Sequence, residues 1–270
     1  MRVHHLNCGS MRPLGGTLVD GSPGLFRPAN IVCHVLVVEA DDGLVLVDTG
    51  FGVADLTNPR TNLPAPFVAL VRPVRDPSQA AVRQLAALGY APGDVRHIVL
   101  THLDLDHAGG LADFPDARVH VYGPELRAAL TPATRGERQR YRQAHWAHEP
   151  KWETYEPVSG SAWMGFDGVR ELAGLSSDFL LVPLAGHTRG HCGVAIQSSS
   201  GWLLHAGDAY FNRAEMQNPP SCPPGMRVFE TLMQVDGDAR RGNQERLRGI
   251  TGEVRLFSAH DAEELHAFTE

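Results

Sequence analysis

One stretch limits this chain more than any other: Thr101-His102-Leu103-Asp104-Leu105-Asp106-His107-Ala108-Gly109-Gly110, with two imidazoles and two carboxylates inside six residues. It follows the apolar run His97 to Leu100, which reads as a buried strand, and Ala-Gly-Gly lets the backbone turn tightly after it. The ligand-type side chains therefore sit at a strand's C-terminal lip, on a loop held by rigid structure. Nitrogen and oxygen donors at alternating positions, with an adjacent Asp-His pair, can face two metal ions, whereas one helix face would space them at i, i+4. The competing reading is a solvated polar loop.

A metal shell needs donors from elsewhere, and three later stretches offer them. Leu184-Ala185-Gly186-His187-Thr188-Arg189-Gly190-His191 follows the apolar run Phe179 to Pro183 and places His187 at a strand end. Trp202-Leu203-Leu204-His205-Ala206-Gly207-Asp208 does the same with Asp208, and Val254-Arg255-Leu256-Phe257-Ser258-Ala259-His260-Asp261 with His260.

In this order the motifs resemble the metallo-β-lactamase-fold superfamily: His-x-His-x-Asp-His, then Gly-His-Thr or Gly-His-Ser, then Gly-Asp, then a late His. The match runs from about Asn30 to the C-terminus. The resemblance implies that His102, Asp104 and His187 hold a first metal, that Asp106, His107 and His260 hold a second, and that Asp208 bridges them. It also implies that Asp48, in Val47-Asp48-Thr49-Gly50, supports the ligand histidines from behind. The fold implied is a four-layer αββα sandwich, two mixed β-sheets flanked by helices. Pattern alone supports an α/β or α+β chain with ligands at strand ends.

The chain departs from the family at Asp104, where the usual residue is a second His. Aspartate is shorter and brings a harder, negative donor, so the first site either tolerates metals that favour oxygen or is weak. Zinc, one or two ions, is the expected cofactor; iron and manganese are alternatives, and an iron-using branch of the family carries a carboxylate at this point. No serine or cysteine nucleophile is evident, so a metal-bound hydroxide is the expected attacker. Asp106 would orient it and Asp208 hold both ions, while Tyr210, two residues further on, is a candidate for steadying the oxyanion. The layout Gly89-Tyr90 through Gly110, the Gly-His-Thr-x-Gly-His loop and the late Ala-His-Asp look most like the N-acyl homoserine lactonases, which implies hydrolysis of a lactone or related ester. The alternatives are a glyoxalase-type thioesterase, an iron oxidoreductase or sulfur dioxygenase, and a metal-poor scaffold that only binds ligands.

Composition fits a metal-dependent hydrolase acting on a small-molecule substrate. The 270 residues are 43% hydrophobic, enough for one substantial core, and no composition break divides them. A balance of 24 basic against 31 acidic residues, net −7, disfavours a nucleic-acid partner. No apolar run approaches the roughly 20 residues of a membrane span, and no stretch at the N-terminus reads as a leader, so a cytoplasmic location is expected. Cys8, Cys33, Cys192 and Cys222 are widely spaced and are expected to be reduced and mostly packed.

The remaining chain reads as one domain with two irregular parts. Residues 1–30, rich in Gly and Pro, are expected to form an arm with a short strand at Arg2 to Leu6; His4 and His5 lie outside the motif set. Residues 131–160, with Arg140, His145, Trp146, His148, Trp152 and Tyr155, are expected to be an insertion near the active site. Either part can roof the site or make a homodimer contact. Ile31–Val38 and Leu44–Val47 read as a hairpin, 55–75 as a proline-rich flap, and Asp76-Pro77 as a helix start. Asn212–Gly225 reads as loop, Asp236–Thr251 as a surface helix and Ala262–Phe268 as a closing helix.

Overall fold

The computed structural model describes residues 1–250 and 252–269. Six strands form the first sheet in sequence order: β1 (Arg2–Met11), β2 (Ile31–Ala40), β3 (Gly43–Val47), β4 (Val95–Val99), β5 (Arg118–Tyr122) and β6 (Lys151–Tyr155). β1, β2 and β3 pair antiparallel, and β3 to β6 run parallel. A hairpin of β7 (Ala162–Trp163) and β8 (Phe166–Asp167) leads to the second sheet. Its strands are β9 (Arg170–Glu171), β10 (Phe179–Pro183), β11 (Cys192–Ser198), β12 (Gly201–His205) and β13 (Arg255–Phe257). They are antiparallel except for the β12/β13 pair.

The apolar run of β2 is unbroken because both its faces are covered. Leu36 and Val38 face the second sheet, packing with Phe179, Leu181, Val194 and Phe257. Val35 and Val37 face outward, against Leu85 of the helix Ala81–Ala87 and Leu126 of the helix Gly123–Leu130. A sheet buried on both sides needs no polar alternation. The outer face of the second sheet is closed in the same way by Leu247 and Ile250 of the helix Gly237–Ile250. The result is a four-layer αββα sandwich of two mixed sheets. Each fully buried aliphatic side chain contributes roughly 1.5–3 kcal/mol, so a charged residue at Leu36 would disrupt the layer between the sheets.

Several segments differ from the sequence reading. Only part of 1–30 is irregular, because β1 continues to Met11 through a bulge between Asn7 and Ser10. Gly9 makes this possible: a Cβ there would lie 2.4 Å from the Phe51 ring. The expected flap over 55–75 is instead three short helices, Val53–Thr57, Pro59–Asn62 and Ala65–Val71. Their prolines sit at or before the first helical turn, where the missing N–H costs nothing. The end of 131–160 is β6, a parallel edge strand of the first sheet. Trp146 is buried in the outer core and the Tyr155 hydroxyl pairs with His120 Nδ1 at 2.7 Å, so neither lines an open site. Asp76 caps a single 3₁₀ turn, Pro77–Gln79, before Ala81–Ala87 begins. Within and beyond the proline-rich 212–225, Arg213–Met216 is a 3₁₀ turn and Pro224–Met233 a helix. The surface helix is Gly237–Ile250, and Thr251 lies outside the described residues.

Candidate metal centre

Strand ends deliver the donors. β3 stops at Val47 and the chain turns through Asp48, whose φ of 58° lies in the left-handed region that Asp tolerates better than most side chains. Its carboxylate accepts the Thr101 N–H and the Thr101 hydroxyl, each at 2.8 Å, and so clamps the end of β3 to the loop after β4. The same Oδ2 takes the Nδ1–H of His107 at 2.8 Å. His260 likewise gives its Nδ1–H to the Val32 carbonyl at 2.7 Å. With the proton placed on Nδ1 by these acceptors, both rings turn an Nε2 lone pair inward.

All seven expected ligands converge. His187 Nε2 lies 3.0 Å from Asp104 Oδ2 and 3.3 Å from Asp208 Oδ2, and His102 Nε2 lies 3.4 and 3.7 Å from the same two atoms. On the other side, His107 Nε2 and His260 Nε2 are each 3.2 Å from Asp208 Oδ1, and Asp106 Oδ2 is 3.7 Å from His260 Nε2. Asp208 thus turns one oxygen to each pair of imidazoles. The donor atoms of His102, Asp104, His187 and Asp208 all lie within 4.8 Å of one another, as do those of His107, Asp208 and His260. Asp104, although short, reaches the first group.

The residues fit a divalent cation. Buried polar atoms almost always find a partner, yet among the described residues His102 Nε2 and Asp208 Oδ1 are buried without a hydrogen bond. Imidazole nitrogens and carboxylate oxygens in this number are a donor set for zinc, iron or manganese. The carboxylates make this a strongly anionic pocket, in which a proton and a metal cation compete for His107. Burial disfavours an ionised Asp104, but Arg140 and His102 outweigh it and hold the carboxyl well below the usual range. Burial likewise works against a charged His107, which Asp208 and Asp48 nevertheless raise well above the usual imidazole value. His187 falls to about 4 through burial and the nearby Arg140.

Other buried groups hold these donors in place, and sequence patterning gave little sign of them. Glu125 accepts the Leu103 N–H at 3.0 Å through Oε1, and the Thr188 hydroxyl at 2.6 Å and Gly190 N–H at 3.1 Å through Oε2. It ties the motif loop to the His187 loop from a helix that reads as ordinary. Gly190 is needed at that contact, since a Cβ would lie 2.2 Å from the Glu125 nitrogen. His191 gives Nδ1–H to the Leu184 carbonyl and accepts the Asp208 N–H on Nε2, orienting the bridging residue. Cys33 lies beside Asp106 and His260, and all four cysteines are free. Arg140, from the helix Arg135–Arg140, places Nε 3.5 Å from Asp104 Oδ1.

Tyr210 does not take the place expected of it. Its hydroxyl donates to Glu264 Oε1 at 2.9 Å, and the ring is fully buried in the outer core of the second sheet. It is therefore committed away from the donors. The next residue, Phe211, faces them: its ring stacks on His260 at 5.1 Å and meets His187 at 5.7 Å. Beside it opens a cavity of about 220 Å³ bounded by Asp20, Asn30, Met226 and His260. Part of the N-terminal arm thus forms a wall of the approach to His260.

Strand-end imidazoles and carboxylates gathered at the edge of an αββα sandwich define a metal-dependent hydrolase fold, and residues 30–260 match the family model described as the metallo-beta-lactamase superfamily. The chain belongs to that superfamily. It is 43% identical over 262 residues to a probable metallo-hydrolase of Mycobacterium tuberculosis, spanning 97% of this chain and 77% of that protein. It is also 36% identical over 91 residues to the N-acyl homoserine lactonase AttM of Rhizobium johnstonii, covering 34% of each. Among solved structures, an N-acyl homoserine lactone hydrolase with N-hexanoyl-L-homoserine at its catalytic metal centre superposes with TM-score 0.74, at 20% identity, over 98% of this chain and 95% of that one. AidC, a dizinc quorum-quenching lactonase, gives 0.63 at 16% identity over 96% and 86%. The family and its metallo-hydrolase relatives mark this chain as a hydrolytic enzyme.

Proposed function

We propose that the chain opens a lactone or cleaves a related carboxylic ester, with zinc as its metal. The observation that carries this reading is Asp208, whose two oxygens address two separate imidazole pairs at 3.2 to 3.7 Å. That geometry suits two cation positions a few ångströms apart. Held by His102, Asp104, His187, Asp106, His107, His260 and the shared Asp208, zinc would supply Lewis acidity and make water nucleophilic at neutral pH. The chain's own side chains supply the rest. His107 and His260 are locked by Asp48 and Val32, so their Nε2 atoms need no reorganisation when a substrate arrives. Asp106 keeps a side chain 12% exposed, against 4% for Asp208, so its carboxylate can orient the nucleophile while it ligates. Phe211 excludes bulk water from the face of His260, and the cavity beside it admits a small substrate.

The lactone assignment draws on the lactonases among the relatives and structural neighbours. A panel of acyl homoserine lactones, aryl esters, lactoylglutathione and phosphodiesters, assayed with the zinc-loaded enzyme, tests it. Lactone or aryl-ester turnover well above the other classes is the expected result; turnover confined to the thioester or phosphodiester overturns it. One observation favours a second reading: Asp104 does reach the first group, and its hard oxygen suits iron or manganese. Iron in protein purified without added metal, with oxygen consumption and no ester turnover, would establish that alternative.

A further inference from the structure

Asp104 is a buried anion with a short reach, and something must keep it ionised and pointed. Its Oδ2 faces His187 and His102, but its Oδ1 is buried and accepts no hydrogen bond among the described residues. Among the described residues, the guanidinium beside that oxygen is Arg140's, Nε at 3.5 Å, on a side chain only 7% exposed. Arg140 is itself fixed. Its Nη1 donates to the His187 carbonyl at 2.9 Å and its Nη2 to the carbonyl of Met233, the last residue of the helix Pro224–Met233. Two backbone carbonyls thus hold the planar fork and leave its Nε edge for Asp104, an arrangement a flexible ammonium would not reproduce.

From this geometry we infer that Arg140 is the positioning residue for the first cation group: it holds Asp104 in its donor orientation and offsets the charge that an aspartate adds there. The inference rests on the metal-centre reading above. An imidazole in position 104 would be neutral and would need no such partner; an aspartate needs one. Two opposing effects follow from removing Arg140. The loss of a positive neighbour draws a divalent ion in, while the loss of the fixed fork frees Asp104 to turn away. Outer partners that orient a metal ligand typically govern affinity by about ten- to a hundredfold, and at a short, buried donor the orientation effect wins.

The test uses full-length protein loaded with zinc. Ions per chain are counted by atomic emission, and zinc loss to EDTA is followed for the wild type, R140Q, R140M, D104H and D104H/R140Q. The expected result is that R140Q and R140M release part of their zinc about ten- to a hundredfold faster while the remainder stays as in the wild type. D104H/R140Q should regain slow release, because a neutral imidazole does not depend on the missing cation. Thermal unfolding of the metal-free proteins separates this from a general loss of structure, and R140M retains the apolar stem should R140Q fail to fold. Unchanged zinc release in R140Q or R140M, or a double variant that releases zinc as fast as R140Q, overturns the role of Arg140 and leaves the hydrolase reading standing. A wild type that binds no zinc overturns both.

Discussion

Asp48→Asn is the sharpest probe of how the second imidazole pair is aimed. Asparagine tolerates the left-handed backbone at φ 58° nearly as well as aspartate, so the substitution changes charge and not chain geometry. It takes away the charge-assisted acceptor for His107 Nδ1–H at 2.8 Å and weakens the clamp on Thr101. A hydrogen bond to a buried charged group contributes about 1.5–3 kcal/mol. The usual ten- to hundredfold weight of a ligand's outer partner corresponds to about 1.4–2.8 kcal/mol. The two routes agree, so D48N should bind zinc at the His107 position roughly ten- to a hundredfold more weakly. Competition against a chromophoric chelator measures that affinity. D48A should do worse, adding about 1 kcal/mol of left-handed strain that lowers the unfolding temperature of the metal-free protein below that of D48N. Zinc affinity in D48N equal to the wild type would refute the argument that the carboxylate aims His107.

Two further expectations concern the layer behind the site. Tyr210→Phe should leave turnover within about twofold of the wild type while lowering stability by about 1–2 kcal/mol, because the hydroxyl serves Glu264; a tenfold or larger fall in kcat with stability intact would return Tyr210 to the oxyanion. Burial raises Glu264 from 4.5 to about 7, so the folded chain holds this proton more tightly than the unfolded chain. Stability from this group is complete below about pH 4.5 and is shed as pH rises towards 7. In metal-free E264Q that fall disappears, and the difference in unfolding free energy between variant and wild type should shift by on the order of 3 kcal/mol between pH 4 and 8, read by denaturant titration at each pH. Parallel curves at all pH values would count against it.

The parts of this molecule that could be read from the chain are those where local chemistry and tertiary demand coincide. β3, β4 and β10 are largely apolar strands, and each runs into a loop that carries a residue the site uses or orients. The donors were legible because they sit in short motifs at those ends, in a fixed order. What escaped depends on distance in sequence. Arg140 meets Asp104 across 35 intervening positions, and nothing in the Arg-rich 135–142 sets it apart from its solvated neighbours. Glu125 looks like an exposed helical carboxylate until the His187 loop closes over it. The prolines at 59 and 64 suggested a loop but mark helix starts, a matter of whether proline falls inside a turn or at its entrance. Tyr210 followed a motif closely enough to suggest the site, and the turn after Asp208 sent its neighbour there instead.

The donors leave the molecule's two halves in unequal shares: His102, Asp104, Asp106 and His107 follow β4, while His187, Asp208 and His260 follow β10, β12 and β13. Neither sheet owns a complete grip, so an ion seated between them acts as a rivet across the joint. Its free concentration then becomes a variable of the folding equilibrium, adding RT ln(1 + [ion]/Kd) for each seat filled. A cell that starves this chain of metal would leave that joint to the apolar layer between the sheets alone.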